Sequence, residues 1–331
     1  MKVSFVTTVL NEEKTIKSLL DSLFKQSLIP SEVVIVDGGS SDKTLDSIKY
    51  YVSRIKDRLF LKNTRIKILV KKGNRAIGRN EAIRNTTGDI IACSDAGCTL
   101  DRNWIQEIVE PFDEKNVNVV AGYYKGLANS IFQKCLIPYV LVMPDKLNAK
   151  NFLPASRSMA FRKSIWKKVG GFPEEFSHNE DYVFAQKLKS IKAKIVFAKD
   201  AIVYWMPRKN LKEAFIMFFR FALGDTEASI FRLKAVLILT RYSVGIISLV
   251  LFVLFRYYFM FYVLGSIFLL YCFWSVFKNF VYVKNWQAFL MLPLLQLVSD
   301  IAIITGTTLG LLKKYGIYKA GDKRNIVDSC S

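Results

Sequence analysis

Two kinds of hydrophobic pattern divide the chain at about residue 205. Before this point, short apolar runs of strand length alternate with segments whose apolar residues recur every three or four positions. The first run of strand length is Val3–Val9. The helical segment after it carries an apolar stripe, formed by Ile16, Leu19, Leu20, Leu23 and Phe24. This alternation predicts an α/β domain with a mostly parallel sheet and helices on both of its faces.

The alternation continues through the first hundred residues. Further strands are predicted at 33–36, 66–70 and 89–94, and further helices after Asp42 and at 76–85. In a sheet of this kind, ligands bind beyond the carboxyl ends of the strands. We therefore expect one site to be formed by the loops that start at Val9, Asp37, Lys71 and Asp95.

A change of composition after residue 208 predicts a membrane region. Segment 211–231 mixes phenylalanines with lysines and arginines, which is typical of a helix lying in the membrane interface. Three apolar stretches follow, each able to supply the roughly 20 residues of a membrane span. They lie at about 235–255, 257–277 and 286–312.

The predicted organisation therefore has four parts. They are an α/β domain at 1–208, an interfacial amphipathic helix at 209–234, about three transmembrane helices at 235–312 and a basic tail at 313–331.

The two ends of the chain give different indications of membrane topology. The chain starts with a strand-like segment and no long apolar run, so we expect the first domain to face the cytosol at the cell membrane. Three crossings would then place the tail outside. Its basic residues favour the cytosolic side instead; they are Lys313, Lys314, Lys319, Lys323 and Arg324. Either one stretch does not cross, or the tail departs from the positive-inside tendency.

Charge and composition limit the classes of binding partner that the sequence predicts. A formal net charge of +20 in a chain that is 51% hydrophobic indicates an anionic membrane surface, phosphate-bearing ligands or both. Nucleic acid is not predicted as a partner, because no nucleic-acid-binding motif is present. The five cysteines form no C-x-x-C pair, and His178 is the single histidine. A disulfide framework and a multi-histidine metal site are therefore not predicted.

Acidic residues follow two of the predicted strands. Asp37 opens the segment Asp37-Gly-Gly-Ser-Ser-Asp42, where a carboxylate could accept hydrogen bonds from a nucleoside and the glycines would let the backbone approach it. The same residues also suit a turn leading to a capped helix. Asp95 could contact a ribose or a metal bound to a diphosphate, or it could act as a helix cap or turn former.

Two further segments carry candidate chemistry. Lys72, Arg75 and Arg79 surround the start of the third helix, where they would form either a diphosphate site or a solvated basic loop. Asp181 could be a general base that deprotonates an acceptor hydroxyl. Alternatively, Asn179 caps a helix and the two acids after it complement the helix dipole.

The order of the motifs resembles family 2 glycosyltransferases, which have the GT-A fold, a Rossmann-like architecture. The first matching segments are Thr7-Thr-Val-Leu-Asn-Glu12, Val36-Asp-Gly-Gly-Ser-Ser-Asp42, Gly78-Arg-Asn80 and Thr87-Gly-Asp-Ile-Ile-Ala-Cys-Ser-Asp-Ala-Gly97. The acceptor-side segments that match are Ala160-Phe-Arg162, Val169-Gly-Gly-Phe-Pro173 and Asn179-Glu-Asp181. The resemblance covers about residues 2–208.

This resemblance implies a role for each matching residue. Thr8, Glu12 and Asp37 would line the nucleoside pocket, with Arg79 beside it. Asp95 would be the first acid of the D-x-D motif, and Asp181 the catalytic base of an inverting transfer. The remaining donor, diphosphate or acceptor contacts are assigned to Lys72, Arg75, Glu180 and Arg220.

Two departures from the family pattern qualify these roles. Gly97 replaces the second acid of D-x-D. A divalent cation (Mg²⁺ or Mn²⁺) would then be bound by Asp95, phosphates and water. Alternatively, basic side chains would neutralise the diphosphate in place of a cation. The Q-x-x-R-W motif of processive synthases is reduced to Met217-Phe-Phe-Arg-Phe221, in which only Arg220 matches. Addition of one sugar is therefore favoured over polymerisation.

The sequence as a whole predicts a membrane-anchored inverting glycosyltransferase. It would move one sugar from a nucleoside-diphosphate sugar to a hydroxyl of a lipid-linked glycan acceptor. The alternatives are a polyprenyl-phosphate glycosyltransferase, a polymerising synthase and a catalytically inactive membrane scaffold that binds sugar nucleotides.

Overall fold

The computed structural model describes residues 1–55, 64–255 and 258–317. The described chain divides into two compact units. The first contains Met1–Leu127 and Leu141–Pro207, and the second contains Ala128–Val140 and the chain from Arg208 onward. Three basic residues of the predicted tail lie outside the described residues; they are Lys319, Lys323 and Arg324.

The first unit contains eight strands and six helices among its described residues. The strands are β1 (Val3–Val9), β2 (Glu32–Asp37), β3 (Arg65–Val70), β4 (Ile90–Cys93), β5 (Cys98–Leu100), β6 (Val119–Gly126), β7 (Met159–Arg162) and β8 (Ile195–Trp205). The helices are α1 (Ile16–Leu23), α2 (Thr44–Ile55), α3 (Arg75–Arg84), α4 (Trp104–Val109), α6 (Lys163–Lys168) and α7 (Glu180–Ser190), while α5 (Ile131–Val140) belongs to the second unit.

The eight strands form one mixed sheet in the order β3-β2-β1-β4-β7-β6-β8-β5. The first four are parallel to one another, which confirms the α/β architecture predicted from the alternating pattern. β7 is antiparallel to both of its neighbours, and β5 is antiparallel to β8. β6 and β8 are parallel to each other, so this half of the sheet is mixed. The mixed half was not predicted, because no helix-strand alternation in the sequence specifies it.

Apolar layers cover both faces of this sheet. Phe5 and Ile35 belong to one buried cluster, in which the Phe5 ring meets Trp104 edge to face at 6.1 Å. Val6 and Val34, their chain neighbours, belong to the other cluster. A strand buried on both faces needs apolar side chains at successive positions. This explains the apolar run 33–36 of β2 and the adjacent apolar residues Phe5 and Val6 of β1.

A glycine sets the distance between α3 and the sheet. A Cβ added at Gly78 would lie 2.2 Å from Oγ1 of Thr8 and 3.0 Å from Cβ of Thr8. No real side chain fits at these distances. Gly78 therefore allows the first turns of α3 to lie directly on β1, which brings the next residue, Arg79, to the carboxyl end of the sheet.

The second unit is helical throughout its described elements. It contains α5, α8 (Leu211–Glu227), α9 (Leu233–Phe255), α10 (Tyr258–Val283) and α11 (Ala288–Lys314). In the described chain, three helices are long and apolar enough to cross a membrane, over Leu233–Phe255, Phe259–Val283 and Ala288–Lys314. They coincide with the three apolar stretches of the sequence and indicate membrane association.

One buried acid joins the three long helices. Asp300 on α11 is fully buried and pairs with Arg241 on α9, with 2.8 Å between the nitrogen and the oxygen. The carboxylate also accepts hydrogen bonds from Tyr271 on α10 at 2.5 Å and from Gln296 at 2.9 Å. An ionisable group among apolar helices is costly unless it is paired. This cluster therefore favours one arrangement of the three helices.

Gly78→Ala should destabilise the first unit by about 1–3 kcal/mol, because the new methyl group overlaps Thr8 and forces α3 away from β1. Gly97→Ala is the matched control, since a Cβ at Gly97 has no atom within 4 Å. Thermal unfolding of the two purified variants measures the difference. An equal Tm for the two would contradict this account of the helix–sheet contact.

Candidate active site

Three of the predicted site residues lie at the carboxyl ends of adjacent strands. Thr8 is on β1, Asp37 ends β2, and Asp95 follows β4. The sheet order is β2-β1-β4, so these ends lie side by side at the same edge. With strands about 4.8 Å apart, the ends that carry Asp37 and Asp95 are separated by about 10 Å.

Arg79 lies at the centre of the charge arrangement. Its side chain is only 2% exposed and forms ion pairs with both Glu180 and Asp95, the latter at 2.9 Å. Its guanidinium lies 5.5 Å from the centre of the Phe172 ring. Burial alone would lower the pKa of Arg79, but the two carboxylates outweigh it and raise this pKa. Arg79 is therefore a permanent cation that joins α3, α7 and the loop after β4.

Asp95 is positioned as an ionised and accessible carboxylate. Its Oδ1 accepts hydrogen bonds from Arg79 and, at 3.2 Å, from the hydroxyl of Ser156. The side chain remains 35% exposed. Burial would raise the pKa of Asp95, but the charges of Arg79, Arg157 and Arg75 outweigh burial and lower it. This carboxylate is therefore negatively charged at neutral pH.

The surroundings of Asp181 shift its pKa in the direction opposite to that of Asp95. Its Oδ2 faces the backbone nitrogen of Ser156 at 3.2 Å and the hydroxyl of Ser156 at 3.4 Å. Burial and the charge of Glu180 raise the pKa of Asp181, Asp95 adds to this effect, and Arg79 opposes it. A carboxylate with a raised pKa binds a proton more tightly, which suits a group that must take one from a substrate.

Ser156 connects the two acids. Its single hydroxyl hydrogen can be given either to Asp95 or to Asp181, so the two carboxylates share one donor. Sequence reasoning did not identify Ser156. A serine between apolar segments carries no motif, and only the fold brings it between the loop after β4 and the start of α7.

Asp37 has one satisfied and one unsatisfied oxygen. Its Oδ1 accepts hydrogen bonds from the backbone nitrogens of Gly39 and Ser40, both at 2.7 Å. Its Oδ2 is buried and has no hydrogen-bond partner among the described residues. Gly39 adopts a φ of +98°, which favours glycine. The Asp37 segment is thus a turn, as one of the two sequence interpretations held, and it also presents an acceptor that a ligand could satisfy.

The amino-terminal end of α3 is capped by the protein itself. The side chain of Asn74 accepts a hydrogen bond from the Ile77 nitrogen at 3.0 Å. Its amide donates to the carbonyl oxygens of Glu174 and Phe176. Lys72 and Arg75 remain exposed at this end. An anion here would therefore meet these two side chains more readily than the helix nitrogens.

The start of α7 differs from the helix-cap interpretation. Asn179 has a left-handed backbone, with a φ of 59°, and its side chain makes no capping bond. Glu180 is buried against Arg79, so it anchors this cation instead of facing a diphosphate or an acceptor. Asp181, the next residue, is left only partly buried.

Glu12 and Arg220 are the remaining predicted residues. Glu12 follows β1 and is partly buried; its backbone nitrogen donates to Oγ1 of Thr44 at 2.8 Å. Arg220 lies on α8 and belongs to the second unit.

Asn80 holds the segment 166–172 against α3. Its amide donates to the Phe172 carbonyl at 2.8 Å, and its Oδ1 accepts from the Phe172 nitrogen at 2.9 Å. The Trp166 ring nitrogen donates to the same oxygen at 3.1 Å. This explains why Asn80 follows Arg79 in the sequence motif. One side chain orders the segment that precedes Glu180.

The residues present are suited to a cation held mainly by its ligand. Within the described residues, no group of three His, Cys, Asp or Glu side chains is placed to hold a metal. Asp95 offers one accessible carboxylate, and the space beyond Gly97 is open. Mg²⁺ commonly uses one or two carboxylates together with phosphates and water. The site therefore fits a divalent cation that arrives with a diphosphate.

Comparison with known proteins identifies relatives of the first unit. Residues 4–169 match the family described as Glycosyl transferase family 2. TarS of Staphylococcus aureus strain Mu50, a poly(ribitol-phosphate) beta-N-acetylglucosaminyltransferase, is 25% identical over 213 residues, which cover 63% of this chain and 36% of TarS. The chain thus spans about a third of the length of TarS.

A second relative and a solved structure extend the comparison. The succinoglycan biosynthesis protein ExoA of Rhizobium meliloti strain 1021 is 26% identical over 234 residues, which cover 67% of this chain and 68% of ExoA. The mannosyltransferase PcManGT from Pyrobaculum calidifontis, solved with GDP-Man and Mn²⁺, aligns with a TM-score of 0.53 and 18% identity. The alignment covers 68% of this chain and 62% of PcManGT. This last likeness establishes the shared fold.

Asp181→Asn should make the protein more stable at neutral pH, with a Tm a few degrees higher. The raised pKa means that ionised Asp181 destabilises the folded state, and the neutral amide removes this effect. Below the pKa of about 3.9 of an unfolded aspartate, both forms are neutral and the difference should vanish. The difference should grow as the pH rises from this value to the raised pKa of the folded protein, and it should be constant at higher pH.

Thermal unfolding between pH 4 and pH 8 measures this difference. Asp200→Asn, at an exposed position of the same domain, is the control and should show no such trend. A Tm gain for Asp181→Asn that does not vary with pH would contradict the assignment of the effect to ionisation.

Proposed function

The chain belongs to glycosyl transferase family 2, as its motifs predicted, and from this premise we propose that it is a membrane-anchored inverting glycosyltransferase. It transfers one sugar from a nucleoside-diphosphate sugar to a hydroxyl of a lipid-linked glycan acceptor. The observation that carries this proposal is the cluster in which Arg79 joins Asp95 to Glu180 while Ser156 joins Asp95 to Asp181. It combines an ionised carboxylate and a carboxylate of raised pKa in one place.

The donor binds at the carboxyl ends of β1, β2 and β4. The unsatisfied Oδ2 of Asp37 accepts a hydrogen bond from the nucleoside. Thr8 and Glu12 line the same pocket, and Asp95 contacts the ribose or a cation on the diphosphate. Lys72 and Arg75, both exposed near the start of α3, balance the charge of the phosphates. PcManGT, which shares the fold, binds GDP-Man and Mn²⁺.

Asp181 is the catalytic base. Its Oδ2 takes the proton from the acceptor hydroxyl as the hydroxyl oxygen attacks the anomeric carbon. The bond between this carbon and the diphosphate breaks in the same step, and the configuration inverts. Arg79 holds Asp95 and Glu180 in position. Burial and the charge of Glu180 raise the pKa of Asp181. A divalent cation bound to the diphosphate would supply Lewis-acid stabilisation of the leaving group.

The membrane region supplies the acceptor. Three long apolar helices keep the enzyme at the cell membrane, with the α/β domain (1–208) facing the cytosol and α8 in the membrane interface. A lipid-linked glycan would be presented at the same surface. ExoA is named for succinoglycan biosynthesis, and TarS is a poly(ribitol-phosphate) beta-N-acetylglucosaminyltransferase. Both names support a role in polysaccharide or glycolipid synthesis.

The electrostatics of Asp181 favour this proposal over a polyprenyl-phosphate acceptor. A phosphate acceptor is already ionised at neutral pH and needs no base, whereas a hydroxyl does. The raised pKa of Asp181 is useful only in the second case. Addition of one sugar is favoured over polymerisation because Met217 and Phe221 stand where processive synthases have Gln and Trp.

Purified membranes that contain the protein should release a nucleoside diphosphate from one member of a panel of UDP- and GDP-sugars. A chelator should reduce the release, because Asp95 and the diphosphate together bind the cation. Release is measured with and without Mg²⁺ or Mn²⁺, and product length on a gel distinguishes one sugar from a polymer. Donor binding without turnover across the panel would point to the inactive scaffold instead.

Asp181→Asn should lower transfer about 10²–10⁴-fold, the usual contribution of a general base. Binding of UDP or GDP should change little, because the Asp37 pocket is intact. Calorimetric titration and transfer assays on the same preparations separate the two effects, with Asp200→Asn as the control. Full transfer activity in the Asp181→Asn enzyme would mean that the acceptor needs no base.

A further inference from the structure

Arg157 is a second cation beside the active-site acids. It follows Ser156, the residue that joins Asp95 to Asp181. Its guanidinium carbon lies 5.2 Å from the centre of the Tyr124 ring on β6 and 4.7 Å from that of Trp205 on β8. Two aromatic rings thus fix the direction of this side chain.

The backbone of Arg157 is fixed as well. Its carbonyl accepts a hydrogen bond from the Ser94 hydroxyl at 2.8 Å, directly after β4. Ala155 and Ser158 form a bridge across the turn that contains it. Arg157 is therefore held by β4, β6 and β8 together, and its position needs no ligand.

The side chain of Arg157 carries an unsatisfied hydrogen-bond donor. The Nε atom is buried and has no hydrogen-bond partner among the described residues. Within the same residues, no carboxylate forms an ion pair with this guanidinium, unlike Arg79, which has two. Leaving a buried donor unsatisfied costs free energy, and a held but unpaired guanidinium fits an anion.

The surroundings of Arg157 indicate which kind of anion it could bind. Arg157 is partly exposed, and its charge acts on Asp95, which it helps to keep ionised. The space beyond Gly97 is open. A planar guanidinium offers two parallel N–H groups, which match two oxygens of one phosphate. A contact with the aromatic rings alone would explain the position of Arg157 but not its unsatisfied Nε.

We propose that Arg157 forms a phosphate-binding subsite of the active site, next to Asp95 and Asp181. The proposal rests on the proposed function, since it takes this site to bind a diphosphate-linked sugar. The phosphate is either part of the donor diphosphate or a phosphate group on the acceptor. In both cases the guanidinium stabilises the anion without a metal ligand at position 97.

Titration of the purified full chain with inorganic pyrophosphate tests the subsite. Arg157→Gln should weaken pyrophosphate binding about tenfold or more, because it removes a charge-assisted pair. Arg157→Lys keeps the charge and the length of the side chain but loses the planar fork, so it should bind with intermediate affinity. Arg102→Gln, at an exposed position of the same domain, is the matched control and should bind as the wild type does.

Thermal unfolding of each variant shows whether it is folded. If Arg157→Gln does not fold, the pyrophosphate affinity of Arg157→Lys is compared with that of the wild type to test the subsite. Unchanged pyrophosphate affinity in the folded variants, or no binding to the wild type, would overturn the proposal.

Competition with UDP and GDP identifies the source of the phosphate. If either nucleotide displaces pyrophosphate, the subsite belongs to the donor diphosphate. If pyrophosphate and nucleotide bind together, with binding of pyrophosphate still dependent on Arg157, the subsite serves an acceptor phosphate. Arg157-dependent pyrophosphate binding without any nucleotide binding would support the subsite while contradicting the proposed donor. The two proposals can therefore fail separately.

Discussion

The buried guanidinium of Arg79 must be neutralised, because an unpaired charge inside a protein costs several kcal/mol. Glu180 and Asp95 neutralise it, and they come from elements that are far apart in sequence. The pairing therefore brings the first turn of α7 to the end of β4. Gly78 makes the arrangement possible, since any side chain there would hold α3 away from β1.

This interaction also sets the properties of the two remaining acids. Asp95 lies beside arginines, which lower its pKa, while partial burial and the neighbouring charge of Glu180 raise the pKa of Asp181. The two aspartates that share the hydroxyl of Ser156 thus have pKa values shifted in opposite directions. Such a division suits one carboxylate that stays charged beside a diphosphate and another that accepts a proton.

In the second unit, too, a buried charge is paired. Its helices expose apolar side chains over most of their length, as lipid contact requires, and they bury one acid, Asp300. That acid is satisfied by groups from α9, α10 and α11. In both units, a paired buried charge selects one arrangement of elements that hydrophobic packing alone would leave less defined.

Local sequence patterns predicted much of the secondary structure of this protein. Period and length predicted β1, α1, the parallel half of the sheet and the three long apolar helices, because each depends on residues that are neighbours in the chain. Motif order predicted the family and named Asp37, Asp95 and Asp181. Only the tertiary structure decided the mixed half of the sheet, the anchoring role of Glu180 and the places of Ser156 and Arg157. These depend on contacts between residues that are distant in sequence, and no local period or spacing encodes which of them meet.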